Sequence, residues 1–290
     1  MAIVASGSPL TARRKLGGEL RRLRDRAGLT AEEVGAELGC HNSKITRVET
    51  AKRACTKRDF EALMNLYEVP DDKRAELAQL MIRGRQRVPP WWDAYADVIS
   101  ANYAEFLAYE AEAVRCYEYQ PLLIPAQLQT EDYARAVTAV SFLALGPDQV
   151  EGLVEVRMRR QQRLHEEAPL ALEAVVTEAA LRLLVGGSET MRAQLRHLRQ
   201  VSALSHVSIR VIPFDAGEKA ACTGAFTLLG TGQDADADAA FTEAADNTAN
   251  FRDDPLTLRR LNRLFQSLAQ AALPTQDSLE LVEQIEEATR

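Results

Sequence analysis

The stretch TAEEVGAELGCHNSKITRVE, residues 30–49, has the spacing of two short helices joined by a tight turn. Thr30 and Glu33 form a capping-box pattern, which predicts the start of the first helix. Gly39 suits a left-handed turn residue, and Gly35 is small enough for two steeply crossing helices to approach each other. The apolar positions that would hold the two helices together are Val34, Leu38, Ile45 and Val48.

Helical spacing continues on both sides of this stretch. A preceding helix has arginines on one face and, on the other, Leu16, Leu20, Leu23 and Ala27 before the terminating Gly28. Two following helices carry the apolar sets Phe60, Leu63, Leu66, Tyr67 and Leu77, Leu80, Met81. The first ninety residues therefore predict a bundle of five short helices.

Charge is distributed unevenly along the chain. The formal net charge is −7, but residues 1–90 hold 18 Lys and Arg against 12 Asp and Glu, a balance of +6. Residues 91–290 accordingly have a balance of −13. This asymmetry indicates that the first part contacts a polyanion while the second part has another task.

A break in the helical pattern separates these two parts. The segment RGRQRVPPWW, residues 83–92, contains a glycine and two prolines, which predict a domain boundary. Trp91 and Trp92 either stack on nucleic-acid bases or pack the linker onto the next domain, and their place after two prolines favours packing. We expect a flexible leader at 1–12, a helical domain at 13–88, a linker at 89–96 and a larger domain at 97–290.

The second part has a mixed pattern. Short runs rich in β-branched and aromatic residues predict strands at 114–119, 170–177, 207–213 and 224–230. Helical spacing predicts helices at 97–112, 130–141, 147–167, 188–205, 255–272 and 276–289. We also expect an exposed loop at 234–240. The fold class is therefore mainly α with a smaller β component, an all-α five-helix bundle followed by a larger α+β domain.

The second helix of the opening stretch has an outer face of hydrogen-bonding side chains. Its polar positions are His41, Asn42, Ser43, Lys44, Thr46 and Arg47. Such a helix suits the major groove of DNA, where base edges present donors and acceptors. Polar helix faces are often only solvated, and helical bundles also bind proteins. The glycines, the apolar positions and the local positive charge together favour DNA.

The stretch resembles the helix-turn-helix of Xre-type DNA-binding regulators. The resemblance implies that Asn42, Ser43 and Arg47 read bases, since arginine pairs with guanine and asparagine with adenine through two hydrogen bonds. It implies phosphate contacts by Thr30, Lys44, Thr46, Lys52, Arg53, Lys57 and Arg58.

The same resemblance implies a structural role for other residues of the bundle. Arg24 and Glu49 match a buried ion pair common in these regulators, so Glu49 is expected to support the fold rather than read a base. Two positions depart from the family pattern: Ala31 replaces a phosphate-contacting glutamine, and Ala51 replaces the glycine after the second helix.

The second part resembles a C-terminal domain of unknown function that occurs in WhiJ-like regulators of high-GC bacteria. The resemblance rests on YQPLLIPAQLQTEDYA at 119–134 and on further matches at 177–187 and 211–217, although Gln120 and Ala126 depart from the signature. It implies a homodimer whose second domain senses a small-molecule signal or a partner such as a small BldB-like antagonist protein.

Enzyme and metal motifs are incomplete in this sequence. A zinc-protease pattern begins at His165 but has Pro169 where the second histidine belongs, and the aspartates of 234–238 lack the glycine and glutamate of a calcium loop. Glu178 and Arg182 either flank a pocket or form an ion pair across one helical turn, and the pair is favoured. We expect no enzyme activity, no metal and no cofactor.

Cysteine usage and hydropathy indicate the compartment. The four cysteines are scattered and show no Cys-x-x-Cys spacing, which favours reduced thiols in a cytoplasmic protein. No window reaches the ~18 uninterrupted apolar residues of a membrane span, and residues 1–9 lack the pattern of a signal peptide.

The sequence as a whole predicts a sequence-specific transcription regulator that binds double-stranded DNA. The alternative is a protein-interaction module, antitoxin-like or anti-regulator, whose helical bundle binds a protein partner. The salt dependence of binding distinguishes these two functions, because affinity for DNA falls steeply as the salt concentration rises, whereas affinity for a protein partner need not fall.

Overall fold

The computed structural model describes residues 9–51, 53–86, 89–141, 146–220, 224–232, 239–243 and 249–289. The chain divides into two compact units, and the boundary falls between Trp91 and Trp92. Each unit contains its own cluster of buried apolar side chains.

The first unit is helical throughout its described residues. Its helices are α1 (Pro9–Arg26), α2 (Ala31–Glu37), α3 (Asn42–Glu49), α4 (Lys57–Leu66) and α5 (Asp71–Gly84). Side chains of Thr30, His41 and Thr56 accept a backbone N–H in the first turn of α2, α3 and α4. These caps satisfy amides that have no partner inside the helix, and they therefore set the three helix starts.

The core of this unit forms where α1 packs along α5 and against α3. Among its most deeply buried side chains are Leu16, Leu20, Phe60, Met64 and Leu77. The predicted flexible leader at 1–12 is wrong in its last four residues, because α1 begins at Pro9 and Ala12 is buried. Proline fits the first turn of a helix, and Ala12 lies one turn before Leu16 on the buried face. Residues 1–8 lie outside the described part of the chain.

The second unit is built on a six-stranded mixed sheet with the order β3-β2-β1-β4-β5-β6. Its strands are β1 (Arg115–Gln120), β2 (Ala171–Thr177), β3 (Val207–Ile212), β4 (Phe226–Gly230), β5 (Ala239–Glu243) and β6 (Ala249–Arg252). β1, β2 and β3 run parallel, whereas the pairs β1–β4, β4–β5 and β5–β6 are antiparallel.

Helices connect and cover this sheet. They are α6 (Ala101–Glu110), α7 (Glu131–Ser141), α8 (Pro147–Arg160), α9 (Glu178–Arg182), α10 (Ser188–Val201), α11 (Pro255–Ala271) and α12 (Thr275–Ala288). α7 and α8 join β1 to β2, and α9 and α10 join β2 to β3, as parallel strands require. α11 packs against β1, β3 and β5, and α12 packs against β3 and α10. The observed architecture is the predicted one, a helical bundle followed by an α+β domain.

Ion pairs in the second unit lie both between helices and within one helix. Arg160 at the end of α8 donates from Nε and Nη2 to Glu110 of α6 at 2.7 Å each, and both side chains are buried. Removing either partner would leave an uncompensated buried charge. Glu178 and Arg182 form the expected pair across one turn of α9, with 2.7 Å between Nε and Oε1.

Several sequence predictions for this unit need correction. β5 and β6 were not predicted, and the exposed loop expected at 234–240 is wrong at its end, since Ala239 and Ala240 are buried in β5. Alanine has little β-propensity, so pairing with β4 and β6 decides the structure there. Residues 233–238 lie outside the described part.

Some element bounds also differ from the prediction. α6 begins after the cap Ser100 rather than at 97, and α8 ends at Arg160, where a 3-10 helix follows. The predicted linker at 89–96 contains a 3-10 helix at Trp91–Tyr95, in which Trp92 is buried and Trp91 is half-buried, so burial favours packing over base stacking for Trp92. Within the described residues, no helix combines the length and the apolar character needed to cross a membrane.

Candidate nucleic-acid interface

The turn between α2 and α3 sets the angle at which α3 is presented. Gly39 has φ +62°, a left-handed conformation that favours glycine. A Cβ atom on Gly35 would lie 2.8 Å from the carbonyl oxygen of Cys40, so only glycine lets the two backbones approach so closely. The Cys40 amide donates to the Gly35 carbonyl at 2.7 Å and closes the turn. Both glycines therefore have the roles that their spacing predicted.

α3 divides into a buried face and an exposed face. Ile45 and Val48 are buried in the core of the first unit. The exposed side chains form what we call the outer face of α3, which consists of Asn42, Ser43, Thr46 and Arg47. Their positions i, i+1, i+4 and i+5 place them on one side of the helix. The structure thus brings the three predicted base-reading residues together on a single solvent-facing surface.

Lys44 lies outside this face. Its Nζ donates to Oδ1 of Asp59 on α4 at 2.7 Å, and the lysine side chain is only 24% exposed. Thr56 donates to the other carboxylate oxygen of Asp59 at 2.7 Å. Burial alone would raise the pKa of Asp59, but the hydrogen bonds from Lys44 and Thr56 hold the pKa below its usual value. The geometry gives Lys44 a structural contact between α3 and α4 in place of the expected phosphate contact.

Thr30 is also occupied within the fold. Its amide and its hydroxyl both donate to Oε2 of Glu33, at 2.7 and 2.8 Å, while the Glu33 amide donates back to the hydroxyl at 3.2 Å. The capping box predicted from the sequence is therefore complete. With both donors directed to a carboxylate, Thr30 stabilises the start of α2 rather than offering a donor to a phosphate.

The remaining predicted phosphate-binding residues differ in position. Thr46 belongs to the outer face of α3, and its hydroxyl donates to the Asn42 carbonyl at 3.3 Å. Arg53 is exposed, and its amide donates to the Arg47 carbonyl at 2.9 Å, which places it at the end of α3. Lys57 and Arg58 are exposed in the first turn of α4. Lys52 lies outside the described residues.

Arg24 and Glu49 form the ion pair that the resemblance implied. Arg24 Nε and Nη2 donate to the two carboxylate oxygens of Glu49 at 2.7 and 3.0 Å, and Nη1 donates to the Leu29 carbonyl at 2.9 Å. The side chains are 13% and 7% exposed. The hydrogen bond to Glu49 raises the pKa of Arg24. The pair ties α1 to the end of α3 and is not available to a ligand.

Two contributions to the site were missed by sequence reasoning. A Cβ on Gly17 would lie 2.8 Å from the Val48 carbonyl oxygen, so this glycine allows α1 to contact the backbone of α3. His41 was assigned to the polar surface but also caps α3, because its Nδ1 accepts the Ser43 amide at 3.2 Å. A glycine inside a helical pattern is the signal that would have indicated the first contact.

Ala51, which departs from the family pattern, follows α3 in a left-handed conformation with φ +58° and is buried. The helix thus ends with the geometry that a glycine would adopt more easily.

Within the ranges that the structure describes, there is no group of three or more His, Cys, Asp or Glu side chains that could hold a metal ion.

Comparison with known families assigns both units. A helix-turn-helix domain matches residues 15–77, and a domain of unknown function (DUF5753) matches residues 103–284. Because the second match covers more than half of the chain, the chain belongs to the DUF5753 family. No curated protein and no solved structure matches it. The two matches describe a helix-turn-helix regulator that carries this C-terminal domain.

Proposed function

We propose that this chain is a sequence-specific transcription regulator of Xre type that acts in the cytoplasm and reads double-stranded DNA through α3. The observation that carries the proposal is the outer face of α3. Its four polar side chains are exposed together, while buried Ile45 and Val48 and the Arg24–Glu49 pair hold the helix from behind. This geometry suits insertion into a major groove.

Charge beside the outer face supports the same function. Arg53, Lys57 and Arg58 are exposed next to the end of α3 or at the start of α4, where cations would follow a phosphate backbone. The balance of +6 in residues 1–90 favours approach to a polyanion.

For the second unit we propose a regulatory role, as the site of homodimer formation and of binding to a signal. Its balance of −13 would repel phosphates, so DNA contact by this unit is disfavoured. A small molecule or a small BldB-like antagonist protein is the proposed signal, in line with the resemblance of this domain to those of WhiJ-like regulators.

The test is selection of DNA from a randomised duplex pool by the full chain, followed by binding measurements at two salt concentrations. Arg47→Ala should cost about 1–3 kcal/mol on the selected sequence and relax the preference at one base pair. The matched variant Lys57→Gln should weaken binding to every duplex and reduce the salt slope by about 1. Recovery of no DNA, or affinity for a protein partner that salt leaves unchanged, would favour the interaction-module alternative.

A further inference from the structure

The ring of His41 is held at the start of α3 by two contacts to its Nδ1 atom. The backbone N–H of Ser43 points to Nδ1 at 3.2 Å, and the Ser43 hydroxyl oxygen lies 2.9 Å from the same atom. A backbone N–H only donates, so Nδ1 must present a lone pair in this arrangement. The Ser43 hydroxyl then donates to it as well.

This contact selects one form of the ring. A neutral imidazole that accepts at Nδ1 carries its proton on Nε2, which makes Nε2–H a donor. The residue is exposed and directly precedes Asn42 and Ser43. Among the residues that the structure describes, Nε2 has no hydrogen-bond partner. Because Nδ1 faces the first turn of α3, Nε2 on the far side of the ring is directed away from the helix.

We infer that His41 is a further specificity-determining residue, which donates from Nε2–H to an acceptor on a base edge in the major groove. The inference rests on the proposed function of α3. Guanine N7 and O6, adenine N7 and thymine O4 are acceptors, whereas cytosine presents an amino donor. His41 therefore favours a purine or a thymine at the base position that it faces, and it disfavours cytosine there.

The first experiment measures the tautomer of the His41 ring in the full chain without DNA, by two-bond ¹⁵N–¹H correlation of the imidazole at pH 8. Assignment uses the signal lost in His41→Ser. We expect the proton on Nε2. A proton on Nδ1 would overturn the inference, because the ring would then present an acceptor to the DNA.

The second experiment compares base preferences of the wild-type chain, His41→Ser and His41→Ala in a randomised duplex pool. Serine is itself a good helix cap, so His41→Ser removes the donor while keeping the start of α3, and His41→Ala removes both. We expect both variants to admit cytosine at one base pair, with a loss of about three- to tenfold on the preferred sequence. Only His41→Ala should also lower the melting temperature.

Three results would contradict this expectation. Equal weakening of all duplexes by His41→Ser would show that Nε2 meets a phosphate oxygen, and an unchanged preference would show that it meets nothing. Either result overturns the inference and leaves the proposed function intact. Failure of the wild-type chain to bind any DNA overturns both.

Discussion

Lys44 and Arg47 are two cations of the same short helix, and their surroundings give them different roles. Lys44 is directed toward Asp59 and lies mostly covered, whereas Arg47 is exposed on the outer face of α3. At about 100° per residue, Arg47 lies about 70° from the middle of the outer face of α3 and Lys44 lies about 130° from it, on the side turned toward α4. Position in the helix, rather than charge, decides which cation can meet DNA.

The Lys44–Asp59 contact should contribute to stability. Lys44→Gln removes the charge partner of a mostly covered carboxylate, so we expect the free energy of unfolding to fall by about 1–2 kcal/mol. Denaturant unfolding of the full chain measures this, with the exposed Lys57→Gln as the control. If Lys44→Gln instead reduced the salt slope of DNA binding and left stability unchanged, the ion pair would not be the role of Lys44.

Asp59 should make the stability of the first unit depend on acid pH. Because its pKa is lower in the folded chain than in the unfolded chain, its contribution is present above the unfolded pKa, about 3.9, and is lost as pH falls through the folded value. Asp59→Asn should be less stable than the wild type at pH 7, and the difference should shrink below pH 4. Urea unfolding across this range provides the measurement. A constant difference would contradict the assignment.

At the scale of elements, the contact between α1 and α3 depends on a missing side chain. Gly17 lies against the carbonyl groups of Val48 and Glu49, whereas a Cβ atom on its neighbour Gly18 would contact nothing within 4 Å beyond its adjacent residues and the backbone of its own helix. The two glycines are adjacent in the same helix but have opposite surroundings.

Adding one methyl group at each position therefore gives a matched pair. Gly17→Ala should destabilise the first unit by roughly 1–3 kcal/mol, because two backbones must separate. Gly18→Ala should stabilise it by about 0.5–1 kcal/mol, since alanine restricts the unfolded chain and favours a helix. Thermal unfolding of both variants decides the point. Equal effects would mean that α1 and α3 are not in close contact.

The end of α4 offers a second prediction at this scale. Glu68 follows the helix with φ +50°, and it is exposed. Glu68→Gly should raise the free energy of unfolding by about 0.5–1 kcal/mol. Glycine removes the strain of a positive φ in the folded chain, and this gain exceeds the cost of the greater conformational entropy that glycine gives the unfolded chain. Glu68→Ala keeps the strain and should have little effect. Stabilisation by alanine equal to that by glycine would exclude backbone strain as the cause.

At the scale of the whole molecule, the two units differ in both charge and core. Each has its own buried apolar cluster, and their formal charges have opposite sign when the chain is divided after residue 90. This division fits the proposal that the first unit contacts DNA and that the second unit regulates this contact.

This division predicts what each part does alone. Residues 91–290 should fold, self-associate and leave DNA unshifted, whereas residues 1–90 should bind DNA more weakly than the full chain because a monomeric fragment engages only one half-site of an operator. Analytical ultracentrifugation and gel-shift assays of the two fragments test this. The assignment fails if residues 91–290 stay monomeric while residues 1–90 dimerise.

Much of the candidate site was predictable because its determinants are close together in sequence. The capping box of Thr30 and Glu33, the turn at Gly39 and the buried positions Ile45 and Val48 depend on residues within one or two helical turns. Helix periodicity then places Asn42, Ser43 and Arg47 on the solvent-facing side of α3. The order of a helical bundle and an α+β domain followed in the same way from local periodicity and the change in charge.

The amino-acid sequence by itself determined where α2 begins, how it turns into α3 and which residues of α3 face outward, because caps, turns and periodicity act over a few residues. Only the tertiary structure decided that Lys44 meets Asp59, that Gly17 meets α3, and that β5 forms a buried strand. Each of these contacts joins residues that are distant in the sequence and meet only after folding. Such contacts produce no periodic pattern along the chain, so they cannot be recognised in the sequence.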